Sequence, residues 1–104
     1  MVAPPAVSAV VEVAVAGKPP ACWYVYLIEC RDGSVYTGIT TGVLRRYAQH
    51  LAGKGARYTR SHPPLRLLGQ CACVDRAEAS RTEYRIKQLA PAQKRALCKD
   101  WAQG

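Results

Sequence analysis

Arg46 and His50 stand four residues apart in the stretch Arg-Arg-Tyr-Ala-Gln-His, so on a helix they share a face. A guanidinium there offers a planar fork suited to a phosphate. The imidazole can donate to a phosphate or exchange a proton near neutral pH. Standing alone, such a pair reads more readily as a solvent-facing polar stripe. A second chemical group is Glu83, four residues after Ala79 and three before Ile86, on the stripe that should face the rest of the fold. A carboxylate at such a place is costly unless it is paired or binds a cation, and Lys87 at i+4 is an ordinary salt-bridge partner for it. Two phenols complete the set: Tyr26 and Tyr36 lie in the two alternating runs of WYVYLIECRDGSVYTGIT. They read either as strand residues suited to a pleated surface or as groups held at a reaction centre.

Positioning these groups requires a hairpin and at least two helices. Trp23–Glu29 and Val35–Ile39 are predicted strands, with Gly33 supplying the positive φ of a tight connection. Residues 43–52 are predicted helical, with Leu44, Tyr47, Ala48 and Leu51 as the apolar stripe and Gly53 and Gly55 as the stop. GKGARYTRSHPP is then a basic loop closed by Pro63-Pro64, and residues 65–74 form a third strand. Asp75 and Glu78 make a capping signal for a helix to about Leu89. Pro91 opens a last helix in which Leu97 and Trp101 pack inward. The order β-β-α-β-α-α predicts an α+β fold, a small three-stranded antiparallel sheet flanked by helices.

Register tests whether both phenols serve one site. An even-numbered loop pairs Tyr26 with Ile39 and sends Tyr36 to the opposite face. The odd loop Arg31-Asp32-Gly33, with a bulge at Gly33, pairs Tyr26 with Gly38 and restores a shared face. The odd loop is the expectation.

The chain has 104 residues, enough for one small domain, and no apolar run long enough to span a membrane. Its net charge of +8 is uneven: residues 33–74 hold no carboxylate but carry Arg45, Arg46, Lys54, Arg57, Arg60 and Arg66. Such a field attracts a polyanion, which makes nucleic acid the expected partner over a merely solvated basic face. In the basic loop, Lys54, Arg57, Tyr58, Arg60 and His62 are the candidates to track a backbone or stack on a base. Five cysteines without a C-x-x-C pair exclude ordinary zinc spacing and fit reduced thiols in a cytoplasmic protein. Residues 1–21, rich in Ala, Val and Pro, are expected to be a flexible tail, with a weak added strand over residues 10–16 or a signal peptide as lesser alternatives. The domain is expected over residues 22–100, with a short end at 101–104.

YVY at 24–26, YTG at 36–38, RRYAQH at 45–50 and RTEYRIKQL at 81–89 together resemble the GIY-YIG nuclease domain, in particular its small stand-alone bacterial members. The resemblance covers about Trp23 to Leu97. It implies that Tyr26 and Tyr36 are functional phenols, that Arg46 is the catalytic arginine, and that His50 fills the position of the family's His or Tyr. It further implies that Glu83 holds a divalent metal, Mg²⁺ or Mn²⁺. Tyr24 is left to packing. Two departures stand out: the first triplet is Tyr-Val-Tyr rather than Gly-Ile-Tyr, and Arg95 replaces a late asparagine found in many catalytic members. The implied activity is hydrolysis of phosphodiester bonds in DNA, endo- or exonucleolytic, in repair or recombination, with RNA not excluded. A non-catalytic nucleic-acid-binding module is the alternative. So is a subunit silent until a protein partner, docking at the Leu97–Trp101 end or the tail, supplies specificity.

Overall fold

The structure, a computed structural model, describes residues 23–103. The expected tail at 1–21, with its alternative strand, lies outside the described residues. Trp23–Cys30 (β1) and Val35–Thr40 (β2) form the hairpin, and Pro64–Cys73 (β3) pairs with the other edge of β1. All pairings are antiparallel, in the order β2-β1-β3. The helices are Val43–Leu51 (α1), Arg57–Ser61 (α2), Arg76–Lys87 (α3) and Pro91–Gln103 (α4). This is the expected α+β architecture with one further helix: α2 forms inside the segment expected to be a loop. No helix among the described residues is long and apolar enough to cross a membrane.

The hairpin closes on three residues. Gly33 N–H donates to Cys30 O at 3.0 Å, Cys30 N–H donates to Ser34 O at 2.9 Å, and Gly33 adopts φ +89°. Asp32 holds the turn by accepting from the Ser34 N–H and hydroxyl at 3.0 and 2.6 Å. The odd count sets Tyr26 opposite Gly38 and Ile28 opposite Tyr36. Both phenols therefore lie on one face, because side chains alternate along a strand.

The sheet's two faces carry different cores. On one, Val25, Leu27, Val35, Cys73, Ala79, Ile86 and Cys98 are buried together, with Trp23, Ile39, Leu68, Leu97 and Trp101 packed around them. This face belongs to α3 and α4. Leu97 and Trp101 pack inward as expected and remain partly exposed. On the other face, Tyr26, Ile28, Cys30 and Val43 are buried with Tyr24, Tyr36, Tyr47 and Leu67 around them. That face belongs to α1.

The orientation of α1 corrects the sequence reading. Leu44 is 75% exposed and Leu51 57%, with Ala48 also exposed, while Val43 and His50 are buried. The helix turns its aromatic and polar side to the sheet because the sheet presents tyrosines there, and His50 finds hydrogen-bond partners that satisfy its ring.

α3 starts as its capping signal requires: Asp75 accepts from Glu78 N–H at 2.8 Å, and Glu78 accepts from Val74 N–H at 2.6 Å. It ends at Lys87, short of the expected Leu89. Arg95, the residue in place of the asparagine, ties α4 to the hairpin. Its Nε bonds Glu29 at 3.2 Å and its Nη2 bonds Gly33 O at 2.6 Å. Arg66 grips the other Glu29 oxygen at 2.6 Å. These two guanidiniums hold the Glu29 carboxyl below its ordinary range, Arg66 most.

Candidate active site

The pleat brings Tyr26 and Tyr36 beneath α1, where Arg46 and His50 project one turn apart. Tyr26 is buried, and its hydroxyl lies 2.8 Å from His50 Nε2. The Tyr36 ring packs against both, with centroids 6.2 Å from Tyr26 and 5.2 Å from His50. Arg46 bonds Gln49 through Nη1 at 2.8 Å, and its guanidinium, like the Tyr36 phenol, also acts on the Tyr26 hydroxyl. Four of the five expected catalytic residues thus form one connected group.

Two glycines make the group possible. A Cβ on Gly38 would sit 2.7 Å from the Tyr26 hydroxyl oxygen, so the last residue of the Tyr-Thr-Gly triplet is the gap into which the cross-strand phenol fits. A Cβ on Gly55 would collide with the His50 ring at Nδ1. The chain after α1 crosses directly over the imidazole and delivers α2, whose Thr59 hydroxyl lies 2.6 Å from Nδ1. Thr59 in turn donates to Ala56 O at 3.0 Å.

Burial sets the protonation states. It pushes the His50 imidazole down to about 4, with the Arg46 charge adding to the effect, so His50 is neutral at pH 7. Burial also pushes the Tyr26 phenol upward, helped by Tyr36 and opposed by Arg46, so Tyr26 keeps its proton. A neutral imidazole has one donor and one acceptor nitrogen, so the tautomer decides which of them faces the phenol.

The group continues outward as an aromatic row. Tyr58 stacks on Tyr36 at 5.8 Å, and His62 lies nearly parallel on Tyr58 at 4.0 Å. His62 is also fixed by contacts at Nδ1 to Tyr58 O, 3.0 Å, and at Nε2 to Asp32, 3.7 Å. Lys54, Arg57 and Arg60 are exposed around this row and make no ion pair among the described residues. The residues expected to contact nucleic acid therefore divide: Tyr58 and His62 extend the tyrosine cluster, while the three cations face solvent.

Glu83 is placed differently. It lies on α3, between Ala79 and Ile86, which pack on the opposite face of the sheet. One oxygen pairs with Lys87 at 3.3 Å, and the side chain is 22% exposed. The contacts joining Tyr26, Tyr36, Arg46 and His50 do not extend to it. α3 does pack against β2, the edge strand that carries Tyr36. Thr59 is beyond the reach of spacing: it sits in a stretch without apolar period, and a short helix built on Arg-Tyr-Thr-Arg-Ser has no pattern to announce it.

Among the described residues no three His, Cys, Asp or Glu side chains gather as a metal cage. The donor present suits a different mode. Glu83 has one oxygen on Lys87, and the other has no partner among the described residues. A single hard carboxylate oxygen fits Mg²⁺ or Mn²⁺, ions that keep several waters and take further oxygens from a phosphate.

The hairpin thus offers two tyrosines to a helix that bears an arginine and a histidine. Residues 22–96 match the GIY-YIG catalytic domain, and the chain belongs to that family. A UPF0213 protein of Cupriavidus pinatubonensis is 59% identical over 76 residues, covering 73% of this chain and 84% of that protein. A UPF0213 protein of Halobacterium salinarum is 55% identical over 74 residues, 71% of this chain and 96% of that one. Such relatives contain little besides the domain. The solution NMR structure of the protein EF2693 from E. faecalis shares 35% identity with a TM-score of 0.53, over 77% of this chain and 85% of that one.

Proposed function

We propose that this chain is a metal-dependent nuclease that hydrolyses phosphodiester bonds, with DNA as substrate and repair or recombination as its setting. The observation that carries the proposal is the buried 2.8 Å contact between the Tyr26 hydroxyl and His50 Nε2, with the Tyr36 ring packed against both. The hydroxyl is turned inward to a histidine that is itself hydrogen-bonded, at the level of the helix that carries Arg46. Arg46, half-buried beside the phenols, bonds the negative charge that develops on the phosphate. Tyr36, less buried than Tyr26, is the phenol that approaching water reaches and the proposed base. A phenol is a weak base at neutral pH, so the role depends on the cation beside it. Tyr26, kept protonated and held by His50, orients Tyr36 or the water. When bound through Glu83, Mg²⁺ or Mn²⁺ would supply Lewis-acid stabilisation of a phosphate oxygen. Lys54, Arg57 and Arg60 attract the backbone, and Tyr58 and His62 offer it flat faces. The four described cysteines are all free, which suits a reducing compartment such as the cytoplasm.

The test is cleavage of labelled duplex, branched and single-stranded DNA, and of RNA, with Mg²⁺, Mn²⁺ or chelator. Arg46→Ala and Glu83→Ala should each slow cleavage by roughly 10²- to 10³-fold. Equal cleavage by both variants would assign the activity to a contaminant. Salt-sensitive binding without turnover under any metal would replace the proposal with a binding module. Turnover appearing only after a co-purifying protein is added would make the chain the catalytic subunit of a pair.

A further inference from the structure

We propose that Thr59 is a positioning residue: its hydroxyl fixes His50 in the tautomer whose bare Nε2 faces the Tyr26 phenol. The argument is proton counting. A threonine hydroxyl has one proton and two lone pairs. Thr59 Oγ1 lies 3.0 Å from the Ala56 carbonyl oxygen, which can only accept, so the hydroxyl proton points there. The same carbonyl also takes Arg60 N–H at 3.2 Å, which its two lone pairs allow. What Oγ1 offers His50 at 2.6 Å is therefore a lone pair, and Nδ1 must carry the hydrogen. Nε2 is left as the acceptor for the Tyr26 hydroxyl at 2.8 Å. The chain runs one way, from phenol to imidazole to threonine to carbonyl.

Burial enforces that direction. His50 is 1% exposed and Thr59 2%, and Gly55 lies against Nδ1, where a Cβ would collide. A substitute water has no place at that nitrogen, so deleting the hydroxyl leaves Nδ1–H unsatisfied. The other tautomer would then be favoured, pointing Nε2–H at the phenol oxygen and turning the phenol proton elsewhere. The hydrogen bond on one ring nitrogen decides which form the other presents.

The consequence for rate rests on the nuclease reading; the tautomer does not. The chain has two histidines, so ¹⁵N-detected ring spectra at pH 7 are assignable with a His62→Gln reference. Wild-type His50 should show protonated Nδ1 and unprotonated Nε2, and the reverse pattern would overturn the proposal. Thr59→Val should lose that pattern and lower kcat on the order of 10- to 100-fold with KM changed less than about two-fold. Thr59→Ser should recover the pattern and most of the rate. A Val variant with wild-type spectrum and rate would also overturn it. If Thr59→Val fails to fold, the wild-type and Ser spectra still decide. A wild type showing the expected tautomer but cleaving no nucleic acid supports the hydrogen-bond assignment and removes the nuclease reading instead.

Discussion

The two faces of the sheet are built on opposite rules. Beneath α3 and α4, Val25, Leu27, Val35, Ala79, Ile86 and Cys98 pack as apolar atoms with little hydrogen bonding. Beneath α1 and α2, the buried side chains include Tyr26, His50 and Thr59, linked by contacts of 2.8 and 2.6 Å. One face holds the fold by removing apolar surface from water. The other adds a polar network whose members depend on one another. The stability of the domain should follow the first face and its chemistry the second.

Leu27→Ala is the largest test of that division. Leu27 is fully buried in the centre of β1, paired to Thr37 on one side and Gly69 on the other. Truncation should cost about 2–5 kcal/mol, read as a drop in the urea midpoint. A loss under about 1 kcal/mol would mean that the α3–α4 face is not the main store of stability.

The same contrast explains what the sequence disclosed. The apolar face writes itself in spacing: Ala79 with Ile86, and Leu97 with Trp101, were legible because a buried stripe repeats with the helix. The hairpin register was legible too, because three loop residues and one glycine leave a single way to share a face. On the polar face, spacing misled. Leu44 and Leu51 resemble a core stripe but lie outside, while His50 resembles surface but is buried. Hydrophobic periodicity assumes that apolar atoms go in, and a helix packed against buried tyrosines breaks the assumption. α2 and Thr59 left no pattern at all, since their role depends on what lies across from them in space. The family motifs identified Glu83, but the structure places it among packing residues, with Lys87 as its direct partner.

Acid should expose the polar face selectively. His50 takes a proton only near pH 4 when folded, against about 6.5 in an unfolded chain. Between those values the unfolded state binds more protons, so stability falls as pH drops from about 6.5 toward 4 and is flat above. The expected loss is roughly 1–2 kcal/mol. Glu29 and Asp32 have carboxyls held below their ordinary values, Glu29 mainly by Arg66 and Asp32 mainly by the Ser34 hydroxyl, so their contributions are lost mainly below about pH 4.5. Thermal midpoints from pH 8 to 4.5 should show the slope in wild type and a weaker one in His50→Gln. Equal slopes would place the titration elsewhere.

The smallest effect concerns the one polar atom stranded on the apolar face. Thr37, the middle residue of the Tyr-Thr-Gly triplet, is 1% exposed, and its hydroxyl is the single buried side-chain N or O without a partner among the described residues. It points into the same layer as Val35 and Ile39, opposite Leu27, while its neighbours Tyr36 and Gly38 serve the other face. A hydroxyl desolvated without a bond is costly, and valine has the same shape with a methyl in its place. Thr37→Val should therefore stabilise the domain by about 1 kcal/mol and leave Tyr26 and His50 undisturbed. The measurement is the urea midpoint, taken beside the His50 ring spectrum. Stabilisation with an unchanged spectrum would show that the two faces are separable even at adjacent residues of one strand. Destabilisation would mean that the hydroxyl has a partner in solution, and the apolar face would then carry a polar site of its own.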